Sequence, residues 1–238
     1  MKKLGVIGGL GPMATALFMR MVIEMTQAEI DQEHIEMVIY NCPQIPDRTS
    51  FILGNSSKDP TPEMIEIGKK LAEQGMDIIA IPCVTAHYFH DRLSKEIPVR
   101  IINIVDELCD YLKERGIHKV GLMATSGTVE SRLFQKAMER SGMELIVPSD
   151  EGQKHVMHVI YENVKANKPV DMSRFGAASW ELRAKGAEVI ILGCTELSIV
   201  SETNAIGAGY IDAMRLLAKC AVEECGTLKP EWKELITQ

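Results

Sequence analysis

The sequence predicts an α/β protein built from two pseudosymmetric parallel-sheet units, a duplicated design with the site between them. Three observations predict it. Strand-length apolar runs alternate with helix-period segments, the two halves resemble each other, and their best-matched segments both end in cysteine. Strands are expected at 4–7, 37–40, 78–81, 100–102, 120–123 and 189–192. Several are unbroken apolar runs, as in strands covered on both faces. Helices are expected near 12–28, 61–74, 86–95, 105–115, 128–141, 150–167, 172–185 and 210–225. Strand–helix alternation of this kind closes into parallel sheets through right-handed crossovers.

The duplication is visible directly. LGVIGG at 4–9 matches VGLMAT at 120–125, and EQGMDIIAIPC at 73–83 aligns without gaps on AKGAEVIILGC at 184–194. Gly75 falls on Gly186, Asp77 on Glu188 and Cys83 on Cys194. Self-similarity of this length argues for a repeated unit. Each cysteine follows a strand and precedes a helix, and ligands of open α/β sheets bind at that edge. The expected units are 1–103 plus 209–238, carrying Cys83, and 104–208, carrying Cys194, with the return at Gly207–Gly209.

Composition narrows the partners. The 238 residues are 46% hydrophobic and 25% charged, with a formal net charge of −7. That charge argues against nucleic acid or an anionic membrane as the main partner. No run approaches the roughly 18 apolar residues of a membrane span, and glycines and Pro12 break the apolar start. A cytoplasmic protein acting on a small molecule is expected. The six cysteines form no CxxC pair, so zinc has no spacing support, and no metal is expected.

Two matched thiols at one crevice point to a chemistry. Inverting a carbon centre requires a base on one face and an acid on the other, with roles exchanged for the reverse reaction. A thiol, with an ordinary pKa of about 8.5, serves either role. A helix N-terminus beside it favours the thiolate. The competing reading is that both are buried strand-end residues, the usual fate of a free cysteine. His87 and Glu196, three and two residues beyond their cysteines, are candidates for tuning them, or else caps or solvated side chains.

GVIGGLGPMAT at 5–15, CPQIPDRTSFILG at 42–54, PCVTAH at 82–87, LMATSGT at 122–128 and GCTELS at 193–198 together resemble the aspartate/glutamate racemase family. The helix holding Tyr161 to Lys165 also fits. The resemblance implies an enzyme, a homodimeric amino-acid racemase that uses neither PLP nor metal, with Cys83 and Cys194 as the acid/base pair. It implies that Arg48 and Lys165 hold the side-chain carboxylate of aspartate or, second, glutamate. Thr85, Thr125 and Thr195 would bind the α-carboxylate or amino group. A guanidinium is well matched to a carboxylate. Val84 departs from the family, which usually has Asn directly after the first cysteine, and this puts the substrate in question. Related two-cysteine enzymes isomerise maleate or racemise hydantoins. A non-catalytic metabolite-binding protein would show stabilisation by ligand without turnover.

Other features carry plainer readings. Gly9-x-Gly11-x-x-Ala14 nearly fits a dinucleotide fingerprint, but Pro12 interrupts it and the second strand lacks the acidic residue a ribose needs. Its glycines are expected to bring backbone close to the substrate carboxylate. His34, His90, His118, His155 and His158 have no ligand spacing and are expected on surfaces. Cys42 is read as packing. The segment 47–62 is a surface loop or a lid, and the tail 226–238 is expected to be only partly ordered.

Overall fold

The computed structural model describes residues 1–238. Its first half runs β1 (Leu4–Gly8), α1 (Pro12–Met25), β2 (Met37–Asn41), α2 (Arg48–Ile52), α3 (Thr61–Glu73), β3 (Ile78–Ala80), α4 (His90–Glu96) and β4 (Arg100–Ile101). Its second runs α5 (Ile104–Glu114), β5 (Lys119–Met123), α6 (Ser126–Glu130), α7 (Leu133–Arg140), β6 (Glu144–Ile146), α8 (Asp150–Met157), α9 (Met172–Ala184), β7 (Val189–Leu192), α10 (Thr195–Thr203) and β8 (Tyr210–Asp212). A last helix, α11 (Ala213–Cys225), packs on α1 and α5.

The sheet orders are β2-β1-β3-β4 and β6-β5-β7-β8, parallel throughout. The repeated segments therefore occupy equivalent strands, β1 with β5 and β3 with β7. The unbroken apolar runs have a physical explanation in the core. Leu4, Val6, Ile78 and Ala80 face a central cluster shared with Val120, Leu122, Val189 and Ile191. Alternate residues face separate outer clusters, Ile7 and Ile79 in the first half, Met123 and Ile190 in the second. The inner strands β1, β3, β5 and β7 are buried on both faces, so neither face is polar.

Several expectations are corrected. Strands β6 and β8 were not foreseen, because both are three residues long and ELI and YID carry a charged end. Strand β8 pairs with β7, so residues 210–212 belong to the second sheet. The helix expected at 210–225 is α11, which begins only at Ala213. The single helix expected at 128–141 is two, broken where Arg132 takes φ 55°. The segment 47–62 holds α2, capped by Asp47, whose Oδ1 accepts from Ser50 N at 2.7 Å.

The tail is ordered, against expectation. Thr237 N donates to Tyr210 O at 2.9 Å and accepts at its carbonyl from Gly209 N at 2.8 Å, extending the edge of β8. Leu235 is buried. Tyr111 Oη donates to Glu234 at 2.6 Å, and burial together with that carboxylate pushes the phenol up to about 12. A polar composition concealed these anchors.

Candidate active site

The strand ends of both sheets converge on one narrow cavity. Leu10 follows β1, Cys83 to Thr85 follow β3, Thr125 follows β5, and Cys194 to Glu196 follow β7. Asp47, Arg48 and Thr49 enter from α2, and Tyr161 and Lys165 from the segment after α8. The two cysteines, matched in sequence, thus face one space from opposite halves. Both are buried, Cys83 at 7% and Cys194 at 6% exposure.

Each cysteine caps a helical turn, as its sequence context predicts. Ala86 N donates to Cys83 O at 3.0 Å and Leu197 N to Cys194 O at 2.9 Å. Their charged neighbours differ. Cys194 Sγ donates to Glu196 Oε2 at 2.9 Å. Burial, then that carboxylate, pushes the Cys194 thiol well above its usual range, and the Lys165 ammonium opposes them. A helix N-terminus alone predicts the reverse; desolvation and a full negative charge outweigh a partial dipole.

Arg48 stands on the other side, beside Cys83. Burial disfavours its charge, yet Cys83, Asp47 and Glu196 raise its pKa above the ordinary value. Nη1 donates to Ile45 O at 3.3 Å and Pro46 O at 3.1 Å, and Nη2 to Leu10 O at 2.8 Å. These carbonyls hold the guanidinium plane, while buried Nε–H has no oxygen or nitrogen partner. The glycine-rich turn therefore serves Arg48 through Leu10 O. Gly9, at φ 90°, lets this turn touch the 42–54 loop: a Cβ there would lie 2.3 Å from Cys42 N. Cys42 packs half-buried against the outer cluster.

Lys165 arrives by a local device. The chain after α8 widens into a π-helix, His158–Val164, with Lys165 N donating to Ile160 O at 3.0 Å. The i→i+5 turn adds a residue to the helical repeat and offsets the faces below it. Lys165 Nζ sits 3.6 Å from Glu196 Oε1 and 4.7 Å from the Tyr161 ring centroid. Burial is the largest influence and lowers its pKa, but Glu196, Cys194, Tyr161 and Cys83 together outweigh it, and the pKa ends raised. Thr195 Oγ1 donates to Glu196 Oε2 at 3.4 Å.

The sequence-predicted residues Arg48, Cys83, Val84, Thr85, Thr125, Lys165, Cys194, Thr195 and Glu196 all line the cavity. His87 does not. Its ring is buried, with Nε2 3.2 Å from Ile81 O, and burial drives its pKa down to about 3. The turn that presents Thr85 to the cavity carries His87 to the opposite side. Leu10, Asp47, Thr49 and Tyr161 are lining residues that sequence reasoning missed as site groups. Asp47 and Thr49 flank Arg48 and were findable by that adjacency; Leu10 and Tyr161 had no chemical signal. His155 Nδ1 lies 3.0 Å from Arg174 Nη1, and His90 is half-buried with Nε2 3.1 Å from Ile101 O. No helix is long and apolar enough to cross a membrane.

Two duplicated parallel-sheet units bring matched thiols to one cavity, and the comparisons place the chain among isomerase-type enzymes. A family model described as Asp/Glu/Hydantoin racemase matches residues 7–221, and the chain belongs to that family. It is 27% identical over 225 residues to a broad specificity amino-acid racemase of Bacillus subtilis (strain 168), covering 92% of this chain and 96% of that protein. Its fold matches Picrophilus torridus aspartate racemase with a TM-score of 0.83 at 29% identity, covering 98% of each chain. Glutamate racemase from Francisella tularensis, solved with D-glutamate, has a TM-score of 0.68 at 16% identity over 94% of this chain and 80% of that one, a likeness of fold alone.

Proposed function

We propose that this protein is a cofactor-independent amino-acid racemase that moves the Cα proton between Cys83 and Cys194. The observation that carries the reading is the convergence of both thiols on one cavity from equivalent strand ends. In one direction the Cys83 thiolate takes the α-proton, leaving a carbanion, and the Cys194 thiol returns its own proton to the opposite face. Cys83 ends as thiol and Cys194 as thiolate, ready for the other enantiomer. Glu196 beside Cys194 supports this starting assignment, since a neighbouring anion favours the thiol over the thiolate.

Aspartate leads as substrate, with glutamate second. The free Nε–H of Arg48 and the ammonium of Lys165 would meet the side-chain carboxylate, with Thr85, Thr125 and Thr195 at the α-substituents. A second reading, wider acceptance of amino acids, is favoured by one arrangement. Lys165 already pairs with Glu196, and Val84, Leu10 and Tyr161 offer apolar wall. The broad specificity of the Bacillus subtilis relative points the same way. Assembly as a homodimer belongs to the same proposal, and light scattering tests it.

The test is proton NMR of L- and D-aspartate in D₂O with reduced enzyme. The α-proton signal disappears and the opposite enantiomer emerges on chiral chromatography. Cys83→Ser and Cys194→Ser each abolish racemisation while leaving exchange on one face. Full racemisation by both variants overturns the mechanism. Inactivity on aspartate with turnover of glutamate or neutral amino acids selects the wider reading. Turnover of only maleate or a hydantoin replaces the amino-acid assignment, and thermal stabilisation without turnover on any of them replaces catalysis with binding.

A further inference from the structure

Four threonine hydroxyls meet where the two halves touch, and one of them lies outside the cavity. Thr85 Oγ1 is 3.1 Å from Thr125 Oγ1 and 2.9 Å from Thr128 Oγ1, and Thr125 and Thr128 are 3.1 Å apart. Thr49 Oγ1 joins this triangle, donating to Thr125 at 3.4 Å. Thr49 and Thr85 belong to the first half, Thr125 and Thr128 to the second. All four are buried. Thr49, Thr85 and Thr125 line the cavity, whereas Thr128 does not.

A proton count assigns the roles. Each hydroxyl has one proton and two lone pairs. Thr125 Oγ1 accepts from Thr49 and from Thr128 N at 3.3 Å, which fills both lone pairs and leaves its proton to give. Thr128 finds no acceptor there, so its proton goes to Thr85, the shortest contact of the set. Thr85 then has a donor on its oxygen and its own proton to spare. A carboxylate arriving in the cavity can take the protons of both Thr85 and Thr125, since charge-assisted bonds are about twice as strong as neutral ones. Without Thr128, Thr85 is capped only if Thr125 turns its proton back, and the carboxylate loses that donor.

We propose that Thr128 is a positioning residue for substrate binding, holding the Thr85 hydroxyl so that Thr85 and Thr125 both donate to a substrate carboxylate. The proposal rests on the racemase reading of the cavity. It separates two kinds of threonine in one cluster, those that meet the ligand and one that orients them from behind. Hydroxyls that accept while donating are also polarised and strengthened as donors.

The test compares Thr128→Val, which replaces the hydroxyl with a methyl of like shape, and Thr128→Ser, which keeps it. Racemisation kinetics are read together with stabilisation by succinate, a dicarboxylate without a Cα amino group. Thr128→Val raises KM about tenfold, the loss expected for one such bond, with kcat within about twofold, and weakens the succinate-induced shift in melting temperature. Thr128→Ser restores both. An unchanged KM, a fall in kcat alone, or a serine variant as impaired as the valine overturns the proposal. If Thr128→Val does not fold, Thr128→Ala against Thr128→Ser makes the same comparison. A wild type that racemises nothing but is stabilised by succinate ends the racemase reading, and the succinate shift still decides for or against Thr128. A wild type neither active nor stabilised ends both.

Discussion

Cys194 and Glu196 stand two residues apart in the chain, and the thiol of one donates to the carboxylate of the other at 2.9 Å. No equivalent carboxylate follows Cys83, whose matched position is Thr85, and Arg48 lies beside it instead. A duplicated fold thus carries an unduplicated charge pattern. Two thiols of common origin meet opposite electrostatic surroundings, which suits a reaction that needs one acid and one base at a time.

Glu196→Gln keeps an acceptor for the thiol and removes the charge. The Cys194 thiol, raised first by burial and then by Glu196, loses its second support and ionises at lower pH. Lys165, freed from its carboxylate partner, pushes the same way. The alkaline limb of the pH–rate profile, for the enantiomer Cys83 deprotonates, is expected to move to lower pH. Iodoacetamide labelling of Cys194 at mildly alkaline pH becomes faster, as peptide mapping would detect. An unmoved limb with unchanged labelling rules out the tuning.

Val84→Asn restores the amide that the family usually carries after the first cysteine. Val84 is 4% exposed and lines the cavity, so the amide must find a partner in the site or remain costly to bury. A substrate polar group supplies that partner. The ratio of kcat/KM for aspartate over alanine is expected to rise at least tenfold, on the order seen when a buried polar group gains its match. A constant ratio assigns substrate choice to other residues.

Gly127 allows α6 to touch α2. A Cβ there would lie 2.9 Å from Thr49 Cα and 3.0 Å from its hydroxyl. Gly127→Ala must push away the short helix that carries Arg48. Stability falls by about 1–3 kcal/mol, as for other overpacked sites, and kcat/KM falls at least tenfold because misplacing a binding group by a fraction of an ångström is costly. Urea denaturation and steady-state kinetics together check both effects.

His87 makes acid sensitivity a property of the fold. Burial holds its pKa at about 3 against an ordinary 6.5; the Ile81 carbonyl opposes this and His90 adds to it. The native ring is neutral while the unfolded ring protonates first, so stability is intact above about pH 6.5 and is lost as pH falls toward 3. His87→Gln retains an N–H for Ile81 O and cannot titrate. Denaturation midpoints between pH 7 and pH 5 should fall in the wild type and fall less in this variant. Parallel curves would assign the acid loss to other groups.

Much of this protein could be read along the chain. The α/β class, the duplication and the equivalent cysteines were legible because apolar periodicity and repetition are properties of linear order, and burial on both faces leaves unbroken runs such as 78–81 and 189–192. The strands at 144–146 and 210–212 were not, since three residues carry too little pattern, and their place is set by pairing with β5 and β7. Nor could the chain reveal that Lys165 reaches Glu196 through a π turn, that Thr128 stands behind Thr85, or that His87 turns from the cavity. Each depends on which side chain meets which group from a distant segment, and on desolvation that exists only once the two halves close. Sequence alone determined the chemistry available to the site; the tertiary structure decided its electrostatic asymmetry, because charges act through distance and burial, and neither is written in residue order.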